Sequence, residues 1–308
     1  MININNIKID KESVNQRIDN FLFKKFKNIP KSKIYKNIRK GQIKINKKKI
    51  THKYKLKIND ILQTTLLNKN FKKKNFLYPN TILQLKKSIL YEDKYLIAIN
   101  KPYGIPVHSN NKLKLGIIEI LKNLQPNNSF LELVHRLDKD TSGILLIAKK
   151  MFVLRNLHNQ FKKKKIKKKY IALVKGHWPK KIKKVNLPLL KYKKNGQYLM
   201  RVDNNGKKSE TNFKIKKKYL NNTLLDIVPI TGRTHQIRIH TFYIGHPVMF
   251  DKIYNNDKNK KNLNKISNRL FLHAESLTFI HPFTLNKLKI NAPLDINLKN
   301  FLNNISKY

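Results

Sequence analysis

Apolar positions follow two regimes along this chain. Between residues 17 and 62 they recur at short helical spacing: Ile18, Phe21, Leu22 and Phe26 mark one amphipathic helix, and Ile34, Tyr35 and Ile38 a second. Pro30-Lys31-Ser32 restarts the chain between them, and Gly41 ends the second helix, as proline and glycine commonly do at those places. Residues 42–46 alternate apolar and polar as a strand does, 47–50 return, and 55–58 alternate again. From about residue 82 the apolar runs lengthen. Strands are expected at 95–100, 143–148, 169–174, 208–217, 222–229 and 270–272, and helices at 115–124, 151–163 and 234–244. Strands outnumber helices and do not alternate with them one for one. That predicts an α+β fold with a mixed, largely antiparallel sheet, not a doubly wound one.

The change of regime suggests two domains, a small one over 1–65 and a larger one over 81–308. Residues 66–80, with a lysine cluster ahead of Pro79-Asn80, join them as a linker. Residues 252–268, rich in Asn and Lys, read as an exposed loop. No repeat is visible, and no apolar run approaches the ~18 residues of a membrane span.

Charge sharpens this picture. The chain carries 68 Lys+Arg against 17 Asp+Glu, a net charge of +51 over 308 residues. Lys, Asn and Ile share A/T-rich codons, so codon bias accounts for many single surface lysines. It does not account for the net charge, because the same bias brings neutral Asn and Ile as readily. A phosphate-rich partner is expected, with nucleic acid ahead of a membrane surface. Lys33, Lys36, Arg39 and Lys40 on the second short helix form one such basic face. There is no cysteine, which excludes disulfides, thiolate metal sites and cysteine nucleophiles. A soluble cytoplasmic protein is expected.

Against that background the segment His135-Arg136-Leu137-Asp138-Lys139-Asp140-Thr141-Ser142-Gly143 stands out, since the next acidic residue after Asp140 is Asp203. It leads into the apolar strand at 144–148. Asp140-Thr141-Ser142-Gly143 is a good turn by itself. Asp138, between the charges of Arg136 and Lys139, is either part of that turn or an ionised carboxylate with work to do. A carboxylate with no metal and no second acid can attack carbon or stabilise a cationic transition state, as carboxylates do at a sugar C1′. A second constellation, Thr231-Gly232-Arg233-Thr234-His235-Gln236-Ile237-Arg238, opens a helix for which Thr234 is the expected cap. Its Arg238 fork can hold a carboxylate or a phosphate. His235 and His240 lack further ligands at metal spacing and read as structural histidines, as do His135, His246, His273 and His281. Tyr170, heading a strand after the basic run 162–168, either packs or stacks on a base.

These motifs, with Asn100-Lys101-Pro102 ahead of them and Leu272-His273-Ala274 behind, resemble in order and content those of the RluA-type pseudouridine synthases over residues 82–295. Residues 17–62 resemble the alpha-L RNA-binding motif of small-subunit ribosomal protein four. Lys47 and Asn59 stand at turns where that motif usually has glycine. The resemblance implies an isomerase that converts uridines of large-subunit ribosomal RNA to pseudouridine, needing no cofactor and no metal, and acting as a monomer away from membranes. It implies that Asp138 is the catalytic aspartate, that Arg238 pairs with that carboxylate, and that Tyr170 stacks on the target base. Arg136 would enter the RNA helix beside the extruded nucleotide, with Arg233 and Lys101 as supporting RNA contacts. A non-catalytic RNA-binding or ribosome-assembly protein and a nucleic-acid glycosylase are the alternatives.

Overall fold

The computed structural model describes residues 5–26, 29–64, 79–109, 116–124, 130–194, 196–255 and 269–305. The chain divides into two compact units, Met1–Asn75 and Phe76–Tyr308. Most of the expected linker, 66–80, lies outside the described residues, as does the greater part of the loop expected at 252–268.

The first unit contains β1 (Asn5–Lys8), α1 (Ile18–Lys25), α2 (Lys31–Arg39), β2 (Ile43–Ile45), β3 (Lys48–Lys49) and β4 (Ile61–Thr64). Its sheet runs β1-β4-β2-β3, and its core is Ile18, Leu22, Phe26, Ile34, Ile38, Ile43, Ile45, Leu56 and Leu62. The strand expected at 55–58 falls instead at β4. Asn59 turns left-handed (φ 64°), and the Asp60 carboxylate accepts from Lys57 N, Tyr54 Oη and Asn46 Nδ2, so 57–60 is a tied turn and pairing begins after it. Asn46 and Lys47 are also left-handed, which closes the β2–β3 hairpin in two residues. Lys33, Lys36, Arg39 and Lys40 are all exposed.

The second unit begins with α3 (Pro79–Lys87), β5 (Ile89–Glu92), β6 (Leu96–Lys101), α4 (Ile117–Leu124), β7 (Glu132–Leu133), β8 (Ser142–Ala148), α5 (Met151–Lys162) and β9 (Lys167–Lys175). It continues with β10 (Lys184–Asn186), β11 (Leu189–Lys194), β12 (Gln197–Val202), β13 (Glu210–Tyr219), β14 (Asn222–Pro229) and α6 (Gln236–Tyr243). It ends with β15 (Leu272–Ile280), β16 (Lys287–Asn291) and α7 (Ile296–Ile305). The main sheet runs β10-β13-β14-β9-β15-β8-β6-β5, with β16 on β15, β7 on β8 and a separate β11–β12 hairpin. Among the described residues every pairing is antiparallel except β15 with β8. The α+β class with a largely antiparallel mixed sheet is therefore as expected. Strand β15 runs well past the expected 270–272, because its outer half pairs with β16.

The parallel pair sets the geometry at one end of the sheet. It joins His273 to Ser142 and Ala274 to Gly143, where the Asp138 loop enters β8. Gly143 sits at φ 110°, and a Cβ there would lie 2.3 Å from the Ala274 carbonyl oxygen. Only glycine permits that approach. Ile144 to Ala148 behind it are fully buried.

Candidate active site

Three segments meet over this end of the sheet: the loop into β8, the start of β9, and the connection from β14 to α6. Together they line an open cleft of about 530 Å³, bordered by Asp138, Tyr170 and Arg238 along with Arg136, Arg233, Lys162, Lys164 and Lys168. That volume is ordinary for a small-ligand site. The sequence places these residues up to a hundred positions apart, and the fold brings the three expected catalytic side chains into one basic cleft.

The Asp138 loop is held from beneath. Thr141 N donates to the Asp138 carbonyl (3.2 Å), so the turn spans 138–141 and not the expected 140–143, whose Ser142 and Gly143 already lie in β8; Gly104 N donates to the Lys139 carbonyl (3.0 Å). Lys101 completes the clasp. Its Nζ donates to the carbonyls of Pro102 (2.7 Å), Ile105 (3.0 Å) and Lys139 (3.0 Å), and the side chain is 0 % exposed. Burial pushes this amine down to about 7, against the pull of Asp140 and Asp138. Lys101 thus cannot make the RNA contact that the resemblance implied. It is a strut that fixes the loop. The Thr141 hydroxyl, in a residue 1 % exposed, has no hydrogen-bond partner among the described residues and borders the cleft.

Arg238 departs from expectation as well. It lies in the first turn of α6, as the spacing predicts, but its fork grips Asp251: Nε to Oδ2 and Nη2 to Oδ1, each 2.7 Å, with both side chains nearly sealed from solvent. Burial opposes charge on Asp251, but the hydrogen bonds and charge of Arg238, with the amides of Ile253 and Tyr254, together outweigh it and hold the carboxyl below its ordinary range. Asp138 therefore receives only the field of Arg238 and not its hydrogen bonds. Asp251 ends the segment Gly245-His246-Pro247-Val248-Met249-Phe250-Asp251, which no spacing rule links to α6.

Helix α6 starts at Gln236, and Thr234 is not its cap. His235 occupies that place with a left-handed backbone (φ 54°) and no side-chain cap bond. Gln236 ties the loop instead. Its Oε1 accepts from Thr231 Oγ1 and Arg233 N, and its Nε2 donates to the Glu210 carbonyl and Thr211 Oγ1. Lys168 Nζ braces the same loop by donating to the Thr231 carbonyl (3.1 Å). With its backbone so held, His235 turns Nε2 to 3.8 Å from Asp138 Oδ2, while Nδ1 lies 2.7 Å from Tyr254 Oη. Burial lowers the His235 pKa, with Arg238 and Arg136 adding to the effect and Asp138 opposing it. In the sequence His235 reads as a structural histidine, because metal spacing is the only test that applies to it there.

Tyr170 pairs with Ile227 on one side and Ala274 on the other, so its backbone is fixed in mid-sheet. Burial and the charge of Asp138 raise its phenol above the ordinary range, and it keeps its proton at neutral pH. Arg136 and Arg233 are exposed at the rim. No cluster of three or more His, Cys, Asp or Glu side chains suited to a metal ion occurs among the described residues.

Comparison with known proteins places this arrangement. Residues 95–242 match the model of the RNA pseudouridylate synthase family, and residues 16–62 match the S4 domain. The chain is 54 % identical over 304 residues to ribosomal large subunit pseudouridine synthase C of Buchnera aphidicola subsp. Acyrthosiphon pisum, covering 97 % of this chain and 96 % of that one. The chain belongs to the RNA pseudouridylate synthase family. The synthase C of Vibrio cholerae is 45 % identical over 301 residues, covering 96 % and 95 %. Among solved structures, human RNA Pseudouridylate Synthase Domain Containing 4 superposes with a TM-score of 0.60 at 26 % identity, covering 73 % of this chain and 95 % of that one. Phe250 ahead of Asp251, Pro188-Leu189-Leu190-Lys191 and the 206–211 segment already resemble synthase C within this family.

Proposed function

We propose that this synthase converts uridines of large-subunit ribosomal RNA to pseudouridine, with Asp138 acting at C1′ of a nucleotide extruded from its stack. The observation that carries this reading is the convergence of Asp138, Tyr170 and Arg238 in one cleft rimmed by cations. An enzyme that works on a base must draw it out of the helix, and the cleft offers a place to receive it. Arg136, Arg233, Lys162 and Lys164 at the rim suit the flanking phosphates. Tyr170 presents a ring on which the extruded uracil stacks.

Asp138 attacks C1′ or stabilises positive charge there as the N1–C1′ bond breaks. The uracil turns in place, C5 bonds to C1′, the C5 proton leaves and N1 gains one. Atoms and electrons balance within the nucleotide, so the sum is an isomerisation. Since Tyr170 resists ionisation beside Asp138, it suits stacking better than service as a resting base. Arg238 and Asp251 hold α6 and, with it, the loop that faces Asp138. The S4 unit and its exposed Lys33, Lys36, Arg39 and Lys40 serve as a second hold on the RNA, as the phosphate backbone favours. Such an enzyme works on ribosomal RNA in the cytoplasm, as a monomer.

The test is to incubate the protein with deproteinised large-subunit rRNA and map pseudouridine by carbodiimide-dependent reverse-transcription stops. New stops support the isomerase, abasic sites point to a glycosylase, and neither outcome leaves a binding protein.

A further inference from the structure

Asp138 has one near neighbour that the reaction as described does not use. His235 is 13 % exposed and Asp138 20 %, and their facing atoms are 3.8 Å apart. A residue with a side chain rarely adopts the left-handed backbone that His235 has, and such strain persists where the surroundings enforce it. Here Gln236 and Lys168 enforce it from either side of the loop.

The hydrogen-bond chain behind His235 has a direction. Met200 N donates to Tyr254 Oη (3.2 Å). The phenol in turn needs an acceptor for its own hydrogen, and His235 Nδ1 stands at 2.7 Å. Burial pushes the Tyr254 phenol up to about 12, so it holds that hydrogen at neutral pH. If Nδ1 accepts, the proton of a neutral imidazole lies on Nε2, the nitrogen that faces Asp138. The groups around the ring are Asp138 from the β8 loop, Arg136 from the same loop, Arg238 from α6, and Asp251 and Tyr254 from the segment after it. Two cations oppose two carboxylates, and burial, the largest influence, favours the neutral ring.

We propose that His235 is a positioning residue for Asp138: Tyr254 fixes its tautomer, and its Nε2–H steadies one carboxylate oxygen so that the other faces C1′. A neutral donor suits this better than a cation, because it orients the carboxylate without neutralising it. The gap of 3.8 Å closes by a small shift once a nucleotide fills the cleft, since such contacts are often long in an empty site. This inference rests on the reading that Asp138 acts on the nucleoside, and its test has a readout that does not depend on turnover.

That readout is the imidazole nitrogen spectrum of ¹⁵N-histidine-labelled protein. The parent should show His235 neutral with the proton on Nε2, and Tyr254→Phe should show a mixture of tautomers and protonation at higher pH. In turnover, His235→Asn, which tolerates the left-handed backbone, should lower kcat about tenfold or more with KM within about twofold. Tyr254→Phe should lower kcat less and make it fall toward pH 6, where the parent does not. An Nδ1-protonated parent ring overturns the proposal even if the parent makes pseudouridine. So does a Tyr254→Phe variant with the parent's kcat at every pH. Failure of the parent to form pseudouridine would instead remove the underlying reading and leave the tautomer result standing.

Discussion

Arg238 holds Asp251, not Asp138, through two buried hydrogen bonds of 2.7 Å. The pair joins the first turn of α6 to the segment carrying Tyr254, whose amide also donates to Asp251 Oδ1. Asp251→Asn removes the charge and leaves Arg238 buried without its counter-ion. Breaking a buried pair in this way costs about 3–5 kcal/mol. Urea unfolding should show that loss, whereas Asp138→Asn, which breaks no such pair, should unfold within about 1 kcal/mol of the parent.

Lys101 is expected to behave as a strut and not as an RNA contact. Lys101→Met keeps the length of the side chain, leaves the carbonyls of Pro102 and Ile105 without this donor, and leaves that of Lys139 with the Gly104 amide alone. An unpaired buried acceptor costs about 1–3 kcal/mol, so stability should fall by at least that much. Turnover should fall with it as the Asp138 loop loosens, while affinity for rRNA measured by filter binding stays near the parent's. A selective loss of affinity with unchanged stability would restore the RNA-contact role.

Two histidines, His135 half-buried and His240 buried, make the fold sensitive to acid. His135 Nε2 accepts from Leu146 N, and burial with Lys168 nearby lowers it to about 4. His240, 0 % exposed between Ser209 and Thr211, is lowered by burial to about 4 as well. Below the ordinary histidine value of 6.5 the unfolded chain takes up these protons and the folded one does not. Their stabilisation is therefore complete above about pH 6.5 and is lost as pH falls toward 4, on the order of 3 kcal/mol for each. Urea unfolding at pH 7.5 and 5.0 measures this, and His240→Gln should flatten the difference.

How much was legible in the sequence depends on the range of each signal. Short-range patterns held for the buried run from Ile144 and for the placing of Arg238 in the first turn of a helix, which have local causes; the turn expected at 140–143 falls at 138–141, because Ser142 and Gly143 already pair in β8. Alternation at 55–58 predicts a strand there and does not reveal that Asp60 is spent on tying a turn, so β4 begins only at Ile61. The clasp of Lys101 and the grip of Arg238 on Asp251 depend on partners brought together only by the sheet. A lysine after a buried strand gives no sign that three carbonyls await it. His235 reads as structural in the sequence because its left-handed backbone, held by Gln236 and Lys168, is something no spacing rule detects.

The S4 unit carries its own expectation. Removing residues 1–65 deletes the exposed Lys33, Lys36, Arg39 and Lys40 and should weaken rRNA binding about tenfold or more. The slope of log affinity against log salt should also fall, by about 0.7–0.9 for each phosphate that is no longer neutralised. Circular dichroism should show the second unit still folded. A truncated protein that modifies full-length rRNA as well as the parent would show that the unit is not an RNA anchor.

The chemistry centres on Asp138. The most direct measurement compares the parent and Asp138→Asn on deproteinised large-subunit rRNA, reading pseudouridine by carbodiimide stops and affinity by filter binding in the same preparation. If Asp138 acts at C1′, the variant binds within a few-fold of the parent and forms no pseudouridine. Turnover near the parent's by Asp138→Asn would contradict that role.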